Sequence, residues 1–261
     1  MTEFRSILVH AIVLRHNDWG EADRLVSLFT RERGKVRAIV KGARKVTSRK
    51  AGHLEPFTHV KLQVARGRGD LLTVTQAETI DAFLPLRDTL ELTGNASYVV
   101  ELLDRFVYEQ EGPHPALFRT LLNTLKRLEA EPDPWLPIRY YEMRMLDFLG
   151  FRPQLQECTN CAREIKAEDQ FFSCAAGGAI CPRCGRGLPN LSPISRDALK
   201  YLRHFQRSSY AEAKKARPTA AVKQDVELLM QNYFTYLLER ELNSPGFLRK
   251  IKPSSASPNS K

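Results

Sequence analysis

Lys35-Val36-Arg37-Ala38-Ile39-Val40-Lys41 decides how the first third of this 261-residue chain is read. Side chains alternate between the two faces of a strand. Val36, Ala38 and Val40 fall on one face, and Lys35, Arg37, Ile39 and Lys41 on the other. The segment therefore predicts a strand with an apolar core face and a cationic outer face. Upstream, residues 7–14 are a short apolar run dense in β-branched residues, which fits a buried strand. Asn17-Asp18-Trp19-Gly20 is a turn signal, residues 24–30 are a second strand, and Gly34 separates it from the third. Downstream, residues 57–65 and 71–83 read as strands on either side of Arg66-Gly67-Arg68-Gly69-Asp70. Five strands within residues 1–83 predict a small closed barrel such as an OB-fold. A β-sandwich fragment is the alternative.

Charge is concentrated on the same stretch. Residues 33–50 hold eight basic side chains (Arg33, Lys35, Arg37, Lys41, Arg44, Lys45, Arg49 and Lys50) and no acidic one. Residues 1–84 hold 15 basic and 9 acidic residues, so +6 of the chain's formal +10 lies in its first third. A solvated surface normally mixes signs. A basic strand face that continues into a basic, glycine-containing loop is how an OB-fold follows a phosphate backbone. Lys35, Arg37, Lys41, Arg44, Lys45, Arg49 and Lys50 are therefore the candidate nucleic-acid contacts. The bland alternative is a strand edge guarded by lysines against aggregation.

Helical periodicity begins after Pro85. Leu92, Ala96, Val99, Val100, Leu103, Phe106 and Val107 recur at three- and four-residue intervals, up to Gly112-Pro113. Leu117, Leu121, Leu122, Leu125 and Leu128 repeat the pattern to Pro132. Ile138, Tyr141, Met145, Leu146 and Leu149 form a third stripe, closed by Gly150 as a C-cap. Arg139, Arg144 and Arg152 on or near it offer a second nucleic-acid surface, against the plainer reading of a solvated face. Ser195 and Thr219 are N-caps of helices carrying Leu199, Leu202 and Phe205, and then Val222, Val226, Leu229, Tyr233 and Leu237. The fold class is α+β: a barrel over 1–83, then a helical domain over 84–251. Residues 252–261 are read as a disordered tail.

Between the helices stand Cys158-Thr159-Asn160-Cys161 and Cys181-Pro182-Arg183-Cys184, nineteen residues apart. Two Cys-x-x-Cys turns at this spacing complete a tetrahedron of thiolates, which suits one structural zinc ion per chain. The module spans about 154–190. Cys174 is read as a bystander. Residues 7–14 are too short and lack a cleavage site for a secretory signal, so a reducing cytoplasm is expected, where such cysteines bind metal rather than pair. No run of roughly 18 apolar residues exists to cross a membrane.

Signs of catalysis are missing from the sequence. The six histidines show no metal-ligand spacing, and no phosphate-binding or nucleophile-elbow motif occurs. A four-thiolate zinc has no open position for substrate. Asp18, Glu21 and Asp23 could suggest a magnesium-dependent nuclease, but turn carboxylates are common. The chain is read as non-enzymatic.

Together these residues resemble the bacterial DNA repair and recombination protein RecO family. The resemblance rests on Asp18-Trp19-Gly20-Glu21 followed by Ala22-Asp23-Arg24-Leu25-Val26-Ser27-Leu28-Phe29-Thr30, then Gly34-Lys35-Val36, Lys41-Gly42-Ala43-Arg44 and Leu54-Glu55-Pro56-Phe57. It continues through Arg66-Gly67, Leu149-Gly150-Phe151 with Pro153, the two cysteine pairs and Gly177-Gly178, covering about 5–240. It implies an OB-fold, a helical domain and often a zinc module. It also implies binding of single- and double-stranded DNA, strand annealing and, with RecR and in some settings RecF, loading of RecA onto DNA coated by single-stranded-DNA-binding protein (SSB). The acidic C-terminal tail of SSB is a further implied partner, and the location is cytoplasmic at the nucleoid. The rival readings are a zinc-stabilised protein–protein adaptor and an RNA-binding OB protein.

Overall fold

In the computed structural model, which describes residues 6–48, 50–66, 71–109 and 111–239, five strands open the chain. They are β1 (Ser6–Trp19), β2 (Asp23–Thr30), β3 (Gly34–Val40), β4 (His59–Arg66) and β5 (Leu72–Asp81). They close a barrel in the order β1-β2-β3-β5-β4, with β4 returning to β1. The β3–β5 seam is parallel, through Ala38↔Leu72 and Ile39↔Thr73, and the other pairs are antiparallel. This is the connectivity of an OB-fold. Inward-facing Val9, Ala11, Val13, Val26, Leu28, Ala38, Val40, Val60, Leu62, Val64 and Val74 fill the barrel. The alternation read in Val36-Arg37-Ala38-Ile39-Val40 holds: Ala38 and Val40 are buried and Arg37 is exposed.

The outer face of β1 and β2 is apolar too. Ile12, Leu14 and Phe29 are buried there. The next elements, α1 (Leu90–Phe106) and α2 (Pro115–Ala130), explain this. Phe118 of α2 lies 6.2 Å from Phe29 and 5.9 Å from His59, ring to ring. A strand covered on both faces reads as a continuous apolar run, which is why residues 11–14 show no alternation, while Leu8 nearer the strand's start stays 49% exposed. β1 also runs past the expected turn. Each of Asn17, Asp18 and Trp19 pairs across to Leu25, Arg24 and Asp23, so ladder hydrogen bonds override local turn preference. The turn is left to Gly20, with φ +59°, and its two neighbours.

The described chain divides into two compact units at Pro132/Asp133. Helices α1 and α2 thus belong with the barrel. The second unit contains α3 (Trp135–Phe148), β6 (Gln170–Ser173), β7 (Gly178–Ile180), α4 (Pro182–Gly185), β8 (Ser192–Ile194), α5 (Arg196–Arg207), α6 (Tyr210–Ala213) and α7 (Ala220–Leu238). Gly150, at φ +80°, ends α3: its N–H bonds Asp147 O, and the Phe151 N–H bonds Leu146 O at 2.8 Å. That is a Schellman cap. The Ser195 and Thr219 hydroxyls cap α5 and α7. The small sheet β7-β6-β8 and the capping box Ser209–Glu212 carry no signal that periodicity would detect in strands and helices this short.

The arginines of α3 are structural. Arg139 is buried against Glu142 at 3.0 Å, and Arg144 donates to the carbonyls of Phe205 and Ser208 at the end of α5. Arg152 pairs with Asp147 at 3.3 Å. Arg139 and Arg144, offered as part of a second nucleic-acid surface, are thus spent on internal ties, while Arg152 stays half exposed in its surface pair.

Two predictions concern the barrel. A Cβ on Gly34, at φ +69°, would sit 2.0 Å from the Gly112 carbonyl oxygen. Gly34→Ala should therefore lower unfolding free energy by about 2 kcal/mol or more, read by urea denaturation. Glu55 accepts from His16 at 3.2 Å and Arg24 at 3.0 Å. Burial acts to raise its pKa, but these partners outweigh burial and hold it below the usual value. A depressed carboxyl stabilises the fold above its unfolded pKa and loses that contribution as pH falls through the folded value. Glu55→Gln should accordingly flatten the decline of the thermal midpoint at acidic pH.

Candidate metal centre and nucleic-acid interface

Cys158, Cys161, Cys181 and Cys184 come together with all four Sγ atoms within 4.8 Å of one another. The Cys161 and Cys181 sulfurs are 3.9 Å apart, close to the ~3.8 Å edge of a tetrahedron with 2.3 Å metal–sulfur bonds. The donor set fits one metal ion. Among the described residues no other His, Cys, Asp or Glu group has this geometry. Cys174 stands outside the cluster, as read, and burial raises its thiol pKa.

Backbone geometry builds each half of the centre. The first pair sits on a hairpin in which Cys158 N–H donates to Arg163 O and Ala162 N–H to Cys158 O, both 2.8 Å. Ala162 takes φ +56° to make the turn. The second pair starts α4, with Gly185 N–H returning to Cys181 O. A Cβ on Gly185 would lie 2.3 Å from the Phe171 ring, and one on Gly178 2.4 Å from Gln154 O. Both glycines are thus required for close approach of chain to chain. The halves join where Thr159 N–H donates to Ala179 O and Cys181 N–H points at Cys158 Sγ from 3.3 Å. Burial would raise the Cys158 thiol, but the backbone N–H groups of Cys181, Asn160 and Cys161 outweigh it and bring it down to about 6. Cys158 therefore favours thiolate, the form that binds metal. At Cys184, by contrast, the Asn160 hydrogen bond would lower the thiol, but the neighbouring Cys161 and Cys181 sulfurs outweigh it and push the thiol up to about 11.

Arg203 of α5 clamps this loop. Its guanidinium donates to Leu155 O at 3.0 and 2.7 Å and to Ile165 O at 2.8 Å. Tyr233 of α7 donates to Phe151 O and meets the Phe172 ring edge-on at 5.3 Å. The metal centre thus closes a loop that α5 and α7 already hold.

The basic stretch separates into two groups. Lys35 is nearly buried: its Nζ lies 2.8 Å from Asp104 Oδ1 and donates to the carbonyls of Asp104 and Val107 at the C-terminal end of α1. A cation there also complements the helix dipole. Arg37 pairs with Glu109 at 2.7 Å. The α1 terminus and the segment after it supply both carboxylates, so a face that is uniformly positive along β3 is neutralised in space. The β3–β4 loop is different. Lys41 and Lys45 are exposed, and no described side chain pairs with either. Lys50 reaches toward Val74 O at 3.4 Å. Arg49 lies outside the described residues, as do the Arg68 turn and the proposed tail.

Arg44 joins the loop to the β1–β2 hairpin. Its guanidinium donates to Gly20 O and Glu21 O at 3.2 Å, and its Nε is 3.4 Å from Asp18. Arg44 N–H donates to Ala22 O at 2.9 Å, and Gly42 N–H to Asp23 Oδ1 at 2.8 Å. Asp18 and Asp23 are thereby engaged within the protein. Trp19, at the end of β1, is 47% exposed beside this corner. Sequence reading passed over it as a turn residue. The signal that could have found it is a large aromatic in a polar, basic neighbourhood.

Comparison with known proteins divides the chain at the end of the barrel strands, ahead of the boundary between the two compact units. Residues 4–83 match the family described as Recombination protein O N terminal, and residues 87–245 the one described as Recombination protein O C terminal. A protein of Roseiflexus sp. named DNA repair protein RecO is 42% identical over 243 residues, covering 93% of this chain and 84% of that one. The protein of that name from Dehalococcoides mccartyi is 35% identical over 252 residues, 97% and 98% of the two chains. The one from Pelotomaculum thermopropionicum is 37% identical over 246 residues, 94% of each.

Cys158→Ser should abolish stoichiometric metal in purified protein, whereas Cys174→Ser should retain it, both read by elemental analysis. The first change should lower the unfolding midpoint of the second unit and leave the barrel's circular dichroism in place.

Proposed function

The chain belongs to the RecO family of DNA repair proteins, and from that footing we propose that it is a recombination mediator that works without catalysis. In this reading it binds single- and double-stranded DNA and anneals complementary strands. With RecR, and in some settings RecF, it helps RecA onto SSB-coated DNA, with the acidic SSB tail as a docking partner. The observation that carries the reading is a closed OB-type barrel whose longest loop presents Lys41 and Lys45 exposed and, among the described residues, unpaired, in a chain that matches this family along both halves.

The mechanism is electrostatic. Two strands that must pair repel each other through their phosphates. Cations on a rigid surface displace counterions from both and lower that repulsion. Lys41 and Lys45 are the principal contacts in this proposal, flanked by Arg44, Arg49 and Lys50. Lys35 and Arg37 act mainly by holding the end of α1 and residue 109 against β3, and add little charge to the outside. No nucleotide need be hydrolysed. Asp18 and Asp23 are occupied by Arg44 and the Gly42 N–H, which disfavours a magnesium-dependent nuclease at that turn.

Zinc is the metal we assign to Cys158, Cys161, Cys181 and Cys184, because four thiolates in a tetrahedron suit a borderline-soft ion of no geometric preference. Its role here is structural: it would clamp the loop over 154–190 and offers no open coordination position. The family division at residues 83–87 supports a nucleic-acid-binding barrel followed by a helical domain to about 251. The proposed location is the cytoplasm, at the nucleoid. No described helix is long and apolar enough to cross a membrane.

The test is a salt titration of DNA binding with parallel strand-annealing assays on bare and SSB-coated DNA. Lys41→Glu with Lys45→Glu should weaken binding to all sequences about equally and reduce the log–log salt slope by roughly 2, one unit per lysine. Lys35→Met should instead lower the unfolding midpoint and leave the slope unchanged. An unaltered slope in the double variant would refute the loop assignment. Tighter binding to RNA than to DNA of the same sequence would favour the RNA-directed alternative.

A further inference from the structure

The corner where the β1–β2 hairpin meets the β3–β4 loop is rigid, and it presents an aromatic ring that nothing uses. Trp19 is the last residue of β1 and pairs in register with Asp23. Asp23 is fixed by the Gly42 N–H, Ala22 O by the Arg44 N–H, and the turn carbonyls of Gly20 and Glu21 by the Arg44 guanidinium. Four hydrogen bonds thus lock hairpin tip and loop together. Among the described residues no ring or cation packs on the indole, which stays half exposed at 47%. Val46, next to Lys45, is fully exposed as well.

A large ring left in water is unfavourable, and a ring held rigidly in water is prepared for a partner that covers it. The surrounding chemistry names the partner's class. Among the described residues Lys41 and Lys45 of the same loop have no carboxylate partner, while of the three acids of the turn Asp18 and Asp23 are already engaged and Glu21 alone is exposed. A flat apolar face beside unpaired cations matches a flat apolar ring joined to an anion, that is, a nucleotide whose base is free to leave its neighbours.

We propose that Trp19 is a base-stacking platform for single-stranded nucleic acid: an unstacked base lies on the indole while Lys41 and Lys45 hold the adjoining phosphates. This rests on the nucleic-acid reading above and deepens it. Phosphate contacts alone do not distinguish one strand from two. A stacking platform does, because bases inside a duplex already stack on each other. The corner would therefore supply preference for single strands on a loop whose lysines bind either form, and would splay a base outward for pairing with an incoming strand.

The chain has two tryptophans, which makes the test direct. Trp135 lies in the second unit, its indole N–H donating to Lys223 O and its ring 5.9 Å from Phe205. In Trp135→Phe protein the remaining emission reports Trp19 alone. Titration with an oligo-dT single strand should quench it to saturation, and a blunt duplex of equal length should not. In the otherwise unaltered chain, Trp19→Ala should lose about 5- to 100-fold in single-strand affinity, with duplex affinity within about twofold. Trp19→Phe should recover most of the loss. These affinities need no Trp135 variant, so the proposal stays testable if that change harms folding. Equal single-strand affinity of Trp19→Ala and wild type overturns the stacking role while leaving the lysine contacts standing. Wild-type protein that binds neither form overturns the nucleic-acid reading itself. Loss of both affinities in parallel would show the residue to be a structural part of the corner and would also overturn stacking.

Discussion

Closure of the barrel through β3 and β5 is the constraint on which the rest depends. The seam is parallel and only two residue pairs long, Ala38↔Leu72 and Ile39↔Thr73. Because β3 has β2 and β5 as neighbours, it cannot turn directly into β4, which pairs with β1. The chain must cross the barrel between residues 41 and 58. A connection that joins no ladder can project side chains freely, and the exposed Lys41 and Lys45 are found there. A simple hairpin between β3 and β4 would have left no such loop.

The same closure decides which cations are spent on the fold. β3 delivers Lys35 to the C-terminal end of α1, where Asp104 and two carbonyls receive it, and places Arg37 beside Glu109. A pair so nearly buried contributes through hydrogen bonds and position as much as through charge. β1 and β2 gain from that docking as well, since α1 and α2 cover Ile12, Leu14 and Phe29. The basic strand and the basic loop are contiguous in sequence and different in role.

In the second unit the metal centre and the helices support each other. Arg203 holds the cysteine loop by three carbonyl contacts, while Gly178 and Gly185 let it approach β7 and Phe171. The lowered pKa of Cys158 follows from backbone N–H groups converging on its sulfur. The fold prepares the Cys158 thiolate, and a bound ion would close the loop on which the four cysteines stand.

Much of this was legible in residue order. Alternation in β3, the apolar stripes of the helices, Ser195, Thr219 and Gly150 as caps, and the spacing of the four cysteines are all local patterns, and local patterns survive in a string. Charge pairing is not local. Asp104 lies 69 residues from Lys35 and Glu109 lies 72 from Arg37, so a run that is wholly basic in sequence has the two cations of its strand neutralised once α1 docks. The same holds for Trp19, a turn residue by composition and the end of a paired strand in space, and for the three-residue strands of the small sheet. Sequence alone settles the long helices, the barrel strands and the pairing of the cysteines into two Cys-x-x-Cys turns, because those depend on neighbours a few residues apart. Which lysines stay exposed, and which ring stands at their corner of the barrel, is decided by tertiary structure, because partnership between distant side chains exists only once the barrel has closed.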